Sequence, residues 1–118
     1  MKAIIELSRH KGSIFGAVKQ QISNSQQGKS PDYYLGFESA RALFSELTPA
    51  RLDLLDTLSR IGTSSMYALA KNAKRNYSNV HTDVSRLLEL GLIERAEDGM
   101  VYVPFEGIEI RLPLAQVA

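Results

Sequence analysis

The chain has 118 residues, 44% of them hydrophobic and 23% charged, which suits one small folded unit with a short accessory segment and leaves no room for a two-domain enzyme. It contains no cysteine, which excludes disulfide frameworks, thiolate metal sites and thiol nucleophiles. The formal net charge of +1 names no partner, but residues 1–82 carry eleven Lys/Arg against six Asp/Glu while residues 83–118 carry three against seven.

The first segment alternates as a strand, with Ala3, Ile5 and Leu7 on one face and Lys2, Ile4, Glu6 and Ser8 on the other. Glu6 inside this early apolar stretch argues against a signal peptide, and no later run approaches the roughly 18 apolar residues of a membrane span. A cytoplasmic protein without membrane contact is expected. Ser13 is placed to cap a helix whose Ile14, Phe15, Val18 and Ile22 form one apolar stripe. Gly12-Ser13-Ile14-Phe15-Gly16 has neither the lysine nor the glycine spacing of a phosphate loop, and His10 and His81 fall in no metal-ligand spacing. No catalytic residue, metal site or cofactor is expected. Ser23 to Asp32 is polar and punctuated by Gly28 and Pro31, so it reads as a loop. Tyr33-Tyr34-Leu35-Gly36-Phe37 is short and aromatic, which favours a strand. Residues 1–37 are therefore expected to form a strand–helix–strand too small to bury a core alone. Either it supplies a dimer surface, together with residues 108–112, or it completes the core of its own chain.

From residue 38 to 118 the pattern changes. Ser39 is placed to cap a helix through Leu47, with Ala40, Leu43, Phe44 and Leu47 at helical spacing. Thr48-Pro49 is a start signal, a hydroxyl N-cap before a proline whose missing N–H costs nothing at that position. The helix it opens carries Leu52, Leu54, Leu55, Leu58 and Ile61 and stops at Gly62 as a left-handed cap. Ser64 or Ser65 opens a short helix through Met66, Leu69, Ala70 and Ala73, and Lys74-Arg75-Asn76 turns the chain. A further helix spans about Ser78 to Leu90, with Val80, Val84, Leu87 and Leu88 as its apolar stripe and Gly91 as its terminator. Leu92–Arg95 and Met100–Val103 flank Ala96-Glu97-Asp98-Gly99, a hairpin signalled by Asp-Gly. Ile108 to Leu112 alternates as a last strand.

Three short helices followed by a hairpin are the chain order of a winged helix-turn-helix, so the expected fold is α+β: that domain at 38–118, extended by the strand–helix–strand at 1–37. The two helices around the turn would bury Leu69, Ala70, Val80 and Val84 between them. In this geometry the second helix enters the DNA major groove by its N-terminal end. The residues there suit the task. Lys71, Lys74 and Arg75 supply positive charge, Asn76 precedes the helix, and Tyr77, Ser78, Asn79, His81, Thr82, Ser85 and Arg86 lie off its apolar stripe. Asn pairs with adenine, Arg with guanine, and hydroxyl groups reach phosphates. Asp83 stands inside this set, either to read a cytosine amino group or to orient Arg86 or His81. Tyr102 is assigned to packing rather than to bases, and the acidic turn Glu97-Asp98-Gly99 is unhelpful against phosphates.

These residues also carry a resemblance. Phe37-Glu38-Ser39, Leu47-Thr48-Pro49-x-Arg51-x-x-Leu54-Leu55, Leu69-Ala70, Asn79-Val80-His81-x-Asp83-Val84-x-x-Leu87, Gly91-Leu92-Ile93-Glu94 and Val103-Pro104-Phe105 closely resemble a family of MarR-like predicted transcriptional regulators. The resemblance covers about residues 37–112, and one departure is the turn at Asn72–Asn76, which lacks the glycine often found there. It implies a winged helix-turn-helix that binds double-stranded DNA. Some members look like the antitoxin of a toxin–antitoxin pair, which implies a cognate toxin as protein partner. The expected function is a homodimeric repressor of its own operon, since paired half-sites multiply affinity and specificity. The alternative is a winged-helix module that binds protein and not DNA, its acidic end meeting a basic partner. Charge placement separates them: an exposed face of Lys71, Lys74, Arg75 and Arg86 favours DNA, and neutralisation by Asp83 and Glu89 favours the interaction module.

Overall fold

The computed structural model describes residues 1–7 and 31–114 in full and residues 17–22 as backbone. Its elements run β1 (Ala3–Leu7), β2 (Ala17–Ile22), β3 (Asp32–Phe37), α1 (Ala40–Glu46), α2 (Pro49–Ile61), α3 (Met66–Ala73), α4 (Tyr77–Glu89), β4 (Glu94–Arg95), β5 (Val101–Tyr102) and β6 (Ile108–Arg111). The architecture is α+β. The chain falls into two units, one of Met1–Glu46 with Phe105–Ala118 and one of Leu47–Pro104. No helix among the described residues is long and apolar enough to cross a membrane.

The first unit is built on a four-stranded sheet in the order β2-β3-β1-β6. β1 runs parallel to both its neighbours, with Ile5 opposite Leu35 on one side and Ile110 on the other. Ala3 and Ile5 are buried as the alternation predicts, and so is Ile4, which the alternation places on the polar face. An interior strand covered on both faces loses its clean amphipathic pattern. α1 packs on β3 with Leu43 buried, and the Tyr33 ring stacks on Phe105 at 5.6 Å between centroids. Burial there pushes the Tyr33 hydroxyl up to about 12. Residues 108–111, one of the two possible dimer segments, pair with β1 of their own chain.

The sequence expectation fails between the first two strands. The predicted helix through Val18 and Ile22 is replaced over Ala17–Ile22 by β2, which pairs antiparallel with β3. Among the described residues, 1–37 hold three strands in place of the expected strand–helix–strand. The spacing of Val18 and Ile22 is even, so period two accommodates the pair as readily as the helical period does, and the neighbouring aromatic strand decides. Ser13, Ile14 and Phe15 lie outside the described residues, as does the predicted loop of Ser23–Asp32 up to residue 30, and Asp32 at its end already belongs to β3.

The helices begin where their caps predict. The Ser39 hydroxyl oxygen accepts from the Ala42 N–H at 3.1 Å, and that of Thr48 accepts from the Arg51 N–H at 3.2 Å with Pro49 in the first turn. On α1 the predicted stripe is only half realised, because Ala40 and Phe44 are exposed. Gly62 ends α2 with φ 82° and ψ −172°, so its backbone is not left-handed helical but in the extended positive-φ region that only glycine occupies readily. The second unit buries Leu54, Leu55 and Leu58 of α2, Leu69 and Ala70 of α3, and Val80, Val84 and Leu87 of α4. β4 and β5 form the predicted hairpin, shorter at its outer ends, with Gly99 at φ 85° in the turn. A one-residue bridge adds Ser64 beside Val101, its N–H donating to the Val101 carbonyl at 3.0 Å.

Candidate functional site

The turn between α3 and α4 is built from side chains that the sequence reading assigns to binding. Ser65 caps α3 by accepting from the Ala68 N–H at 3.1 Å. At the other end Lys74 adopts φ 56° and ψ 46°, the left-handed conformation for which the missing glycine would be suited. It is the only non-glycine with positive φ among the described residues. The Lys74 N–H donates to the Lys71 carbonyl and the Arg75 N–H to the Ala70 carbonyl at 3.1 Å, closing the helix end. Lys74→Gly is expected to raise stability by about 0.5 kcal/mol, the relief of backbone strain being partly offset by glycine's larger unfolded-state entropy. A shift of the urea midpoint to higher concentration checks this, and a lower midpoint would contradict it.

Asn76 opens α4. Its Oδ1 accepts from the Ser78 N–H at 2.8 Å and from the Ser78 hydroxyl at 2.7 Å, so both residues are engaged in capping. Leu69, Ala70, Val80 and Val84 are buried as expected, fixing which face of α4 turns outward. That outward face carries Tyr77, Ser78, Asn79, His81 and Thr82, all exposed, and Lys71 and Lys74 at the end of α3 are exposed as well. The Tyr77 and His81 rings lie 6.1 Å apart, and the Thr82 hydroxyl donates to the Ser78 carbonyl at 3.1 Å. Ser85 and Arg86 lie further along the helix and are half-buried.

The remaining charges are arranged differently from the sequence reading. Asp83 neither orients His81 nor pairs with Arg86. Its Oδ1 accepts from Arg51 Nε at 3.0 Å and its Oδ2 from Arg75 Nη2 at 2.7 Å, a clamp joining α2, the turn and α4. Asp83 is 14% exposed, and Arg51 and Arg75 are 17% and 27% exposed. Burial alone would raise the Asp83 pKa, but the hydrogen bonds and positive charge of Arg75 and Arg51 outweigh it and hold the carboxyl below its usual range. Arg75 Nη1 is buried with no hydrogen-bond partner among the described residues. Arg86 pairs with Glu89 at 3.2 Å. Lys71 and Lys74 are therefore the exposed cations left at this end of α4, and Arg75 and Arg86 have acidic partners.

Sequence reasoning gave Arg51 no role, because its partner lies 32 positions away and no local spacing announces the pair. It also passed over Tyr67, which is 70% exposed on α3 and off the Leu69/Ala70 stripe. In the hairpin, the Tyr102 hydroxyl donates to Glu94 Oε2 at 2.8 Å, and that carboxylate pushes the Tyr102 hydroxyl up. Glu97 and Asp98 are exposed at the turn.

Neither the curated proteins nor the solved structures give a match to this chain. The family model HVO_A0114 matches residues 46–110, from the end of α1 into β6. That match takes in α2, the α3–α4 pair and the hairpin, more than half of the 118 residues, and the chain belongs to the HVO_A0114 family.

Proposed function

We propose that the chain is a sequence-specific DNA-binding transcriptional regulator that reads the major groove with the first two turns of α4. The observation that carries this is the outward face of α4: Tyr77, Ser78, Asn79, His81 and Thr82 are exposed beside Lys71 and Lys74, and the opposite face is held by buried Val80, Val84 and Leu87. Helix N-terminal residues of this chemistry on a rigid support match what base-edge and phosphate contacts need. The order α2, Ser64 bridge, α3, α4 and β4–β5 hairpin supports a winged helix-turn-helix reading, as does the MarR-like resemblance. On this reading the protein is a homodimeric repressor of its own operon, and where a toxin gene lies beside it the chain serves as the antitoxin.

The test is binding to double-stranded DNA from the chain's own upstream region, followed by fluorescence anisotropy across a salt series. Two lysines from each of two copies would neutralise four phosphates, giving a log–log salt slope of about −3 to −4. That slope is shallow beside a strongly basic binder and fits the near-neutral charge. No binding at low salt, or binding insensitive to salt, would overturn the reading.

One observation favours the second reading, a protein-interaction module. Arg75 and Arg86 are occupied by Asp83 and Glu89, and the hairpin exposes Glu94, Glu97 and Asp98, which repel phosphates. Under it, a basic protein partner would meet the hairpin and α4 would touch no DNA.

A further inference from the structure

β6 stands at the edge of the four-stranded sheet, and among the described residues no strand lies beside its outer side. The register with β1 fixes which of its backbone groups face outward. Ala3 sits opposite Ile108, and the Ala3 N–H donates to the Gly107 carbonyl at 3.0 Å. In a parallel ladder the groups of alternate residues point to the same neighbour, so 107, 109 and 111 face β1, while 108, 110 and 112 present N–H and C=O to the open side. The side chains alternate as well. Glu109 pairs with Lys2 at 3.4 Å and with Arg111 at 3.2 Å on one face of the sheet. Ile108 and Ile110 lie on the other face, and Ile110 is 37% exposed although it aligns with fully buried Ile5.

We propose that this edge binds a second copy of the same chain, β6 against β6 in antiparallel register about a two-fold axis at Ile110. Three constraints select this register. Only even residues expose bonding groups, so Ile110 meets Ile110 and Ile108 meets Leu112, exchanging hydrogen bonds as an antiparallel ladder requires. In this register Glu109 of each copy lies directly opposite Arg111 of the other. Sliding by one permitted step places Glu109 against Glu109 or Arg111 against Arg111, and like charges directly opposite are destabilising. The same two charges that usually protect an edge strand therefore reject the shifted pairings and accept one. The partner strand also covers Ile110 and Leu112, the latter 39% exposed, and joins the two sheets into one. A two-fold contact of this kind is closed and self-complementary, so it yields a dimer rather than a filament.

The inference rests on the DNA reading only for why two copies would be useful, and the two fail separately: sedimentation reads the dimer and anisotropy reads the DNA. Sedimentation equilibrium of the full chain is expected to show a monomer–dimer equilibrium with a dissociation constant of roughly 1–50 µM, as suits a short interface. Arg111→Glu and Glu109→Arg each place like charges across the axis, and each is expected to weaken self-association about tenfold or more. Mixing the two variants restores opposite charges at both positions, so the mixture is expected to dimerise about as well as the wild type and clearly better than either variant alone. Amide exchange at Ile108 and Ile110 should slow as the wild-type concentration rises, and circular dichroism confirms that each variant remains folded. A wild type that stays monomeric at about 200 µM, or single variants that dimerise like the wild type, would overturn the proposal. So would a dimer whose Ile110 amide exchange is independent of concentration.

Discussion

Replacing Asp83 with alanine is expected to cost about 2–3 kcal/mol of stability, more than either of its arginine partners. The reason is an asymmetry of removal. Asp83 is the shared acceptor for Arg51 and Arg75, so its loss takes one anion from two partly buried guanidinium groups at once. Breaking a fully buried pair costs about 3–5 kcal/mol, and the residual 14–27% exposure of Asp83 and its partners lets water screen part of that. Arg51→Ala or Arg75→Ala leaves Asp83 with one guanidinium and is expected to cost about 1–2 kcal/mol. Arg75 falls at the low end, because its removal also eliminates the buried Nη1 that has no hydrogen-bond partner. The measurement is urea unfolding at pH 7, and an Asp83→Ala midpoint within about 0.5 kcal/mol of wild type would mean that the clamp contributes nothing.

The pH dependence follows from the same geometry. The two arginines hold the folded-state pKa of Asp83 below its ordinary value in spite of burial. A depressed carboxyl contributes stability that is fully present above the unfolded value, about pH 4, and is lost as pH falls through the lowered folded value. Wild-type stability should therefore drop below about pH 4 by an increment that Asp83→Ala lacks, so the two curves converge in acid. Parallel curves over that range would assign the acid loss to other carboxylates.

Local chemistry made much of this architecture legible. Ser39, Thr48-Pro49 and Ser65 announce helix starts because the side-chain oxygens that satisfy the first free N–H groups belong to adjacent residues. Val80, Val84 and Leu87 reveal the buried face of α4 for the same reason, since one helical repeat contains the whole signal. What the sequence concealed is non-local. Nothing near Ala3 indicates that β1 will lie between residues 33–37 and 108–111, and Val18 and Ile22 satisfy strand and helix periods alike. The site divides along the same line. The exposed set from Tyr77 to Thr82 could be read from the stripe it avoids, but the withdrawal of Arg75 into a clamp depends on Arg51, 24 positions earlier, and on Asp83. A motif places residues near a turn, and tertiary pairing decides which of them remain available to a ligand.

That distinction shapes the second large expectation, for Asn79 and Lys74. Asn79 lies in the first turn of α4, exposed and outside the clamp. If it pairs with an adenine edge, Asn79→Ala is expected to cost about 1–3 kcal/mol on the preferred site and to flatten discrimination at a single base position. Its effect on stability should stay within about 0.5 kcal/mol, because the residue is exposed. Lys74→Gly is the complementary variant. It removes an exposed charge without lowering stability, so it should weaken binding on every sequence alike and reduce the salt slope by about 1 for each copy bound. Competition binding against a library varied one base at a time separates the two effects. Loss confined to one position for Asn79→Ala, with uniform loss for Lys74→Gly, is the pattern of a reading helix supported by a phosphate contact. If both variants bind every sequence as the wild type does, α4 reads no DNA and its exposed face belongs to a protein partner. Uniform weakening by both would keep α4 on the phosphate backbone and move base recognition to Tyr77, His81 or Thr82, the remaining exposed side chains of its first two turns other than the capping Ser78.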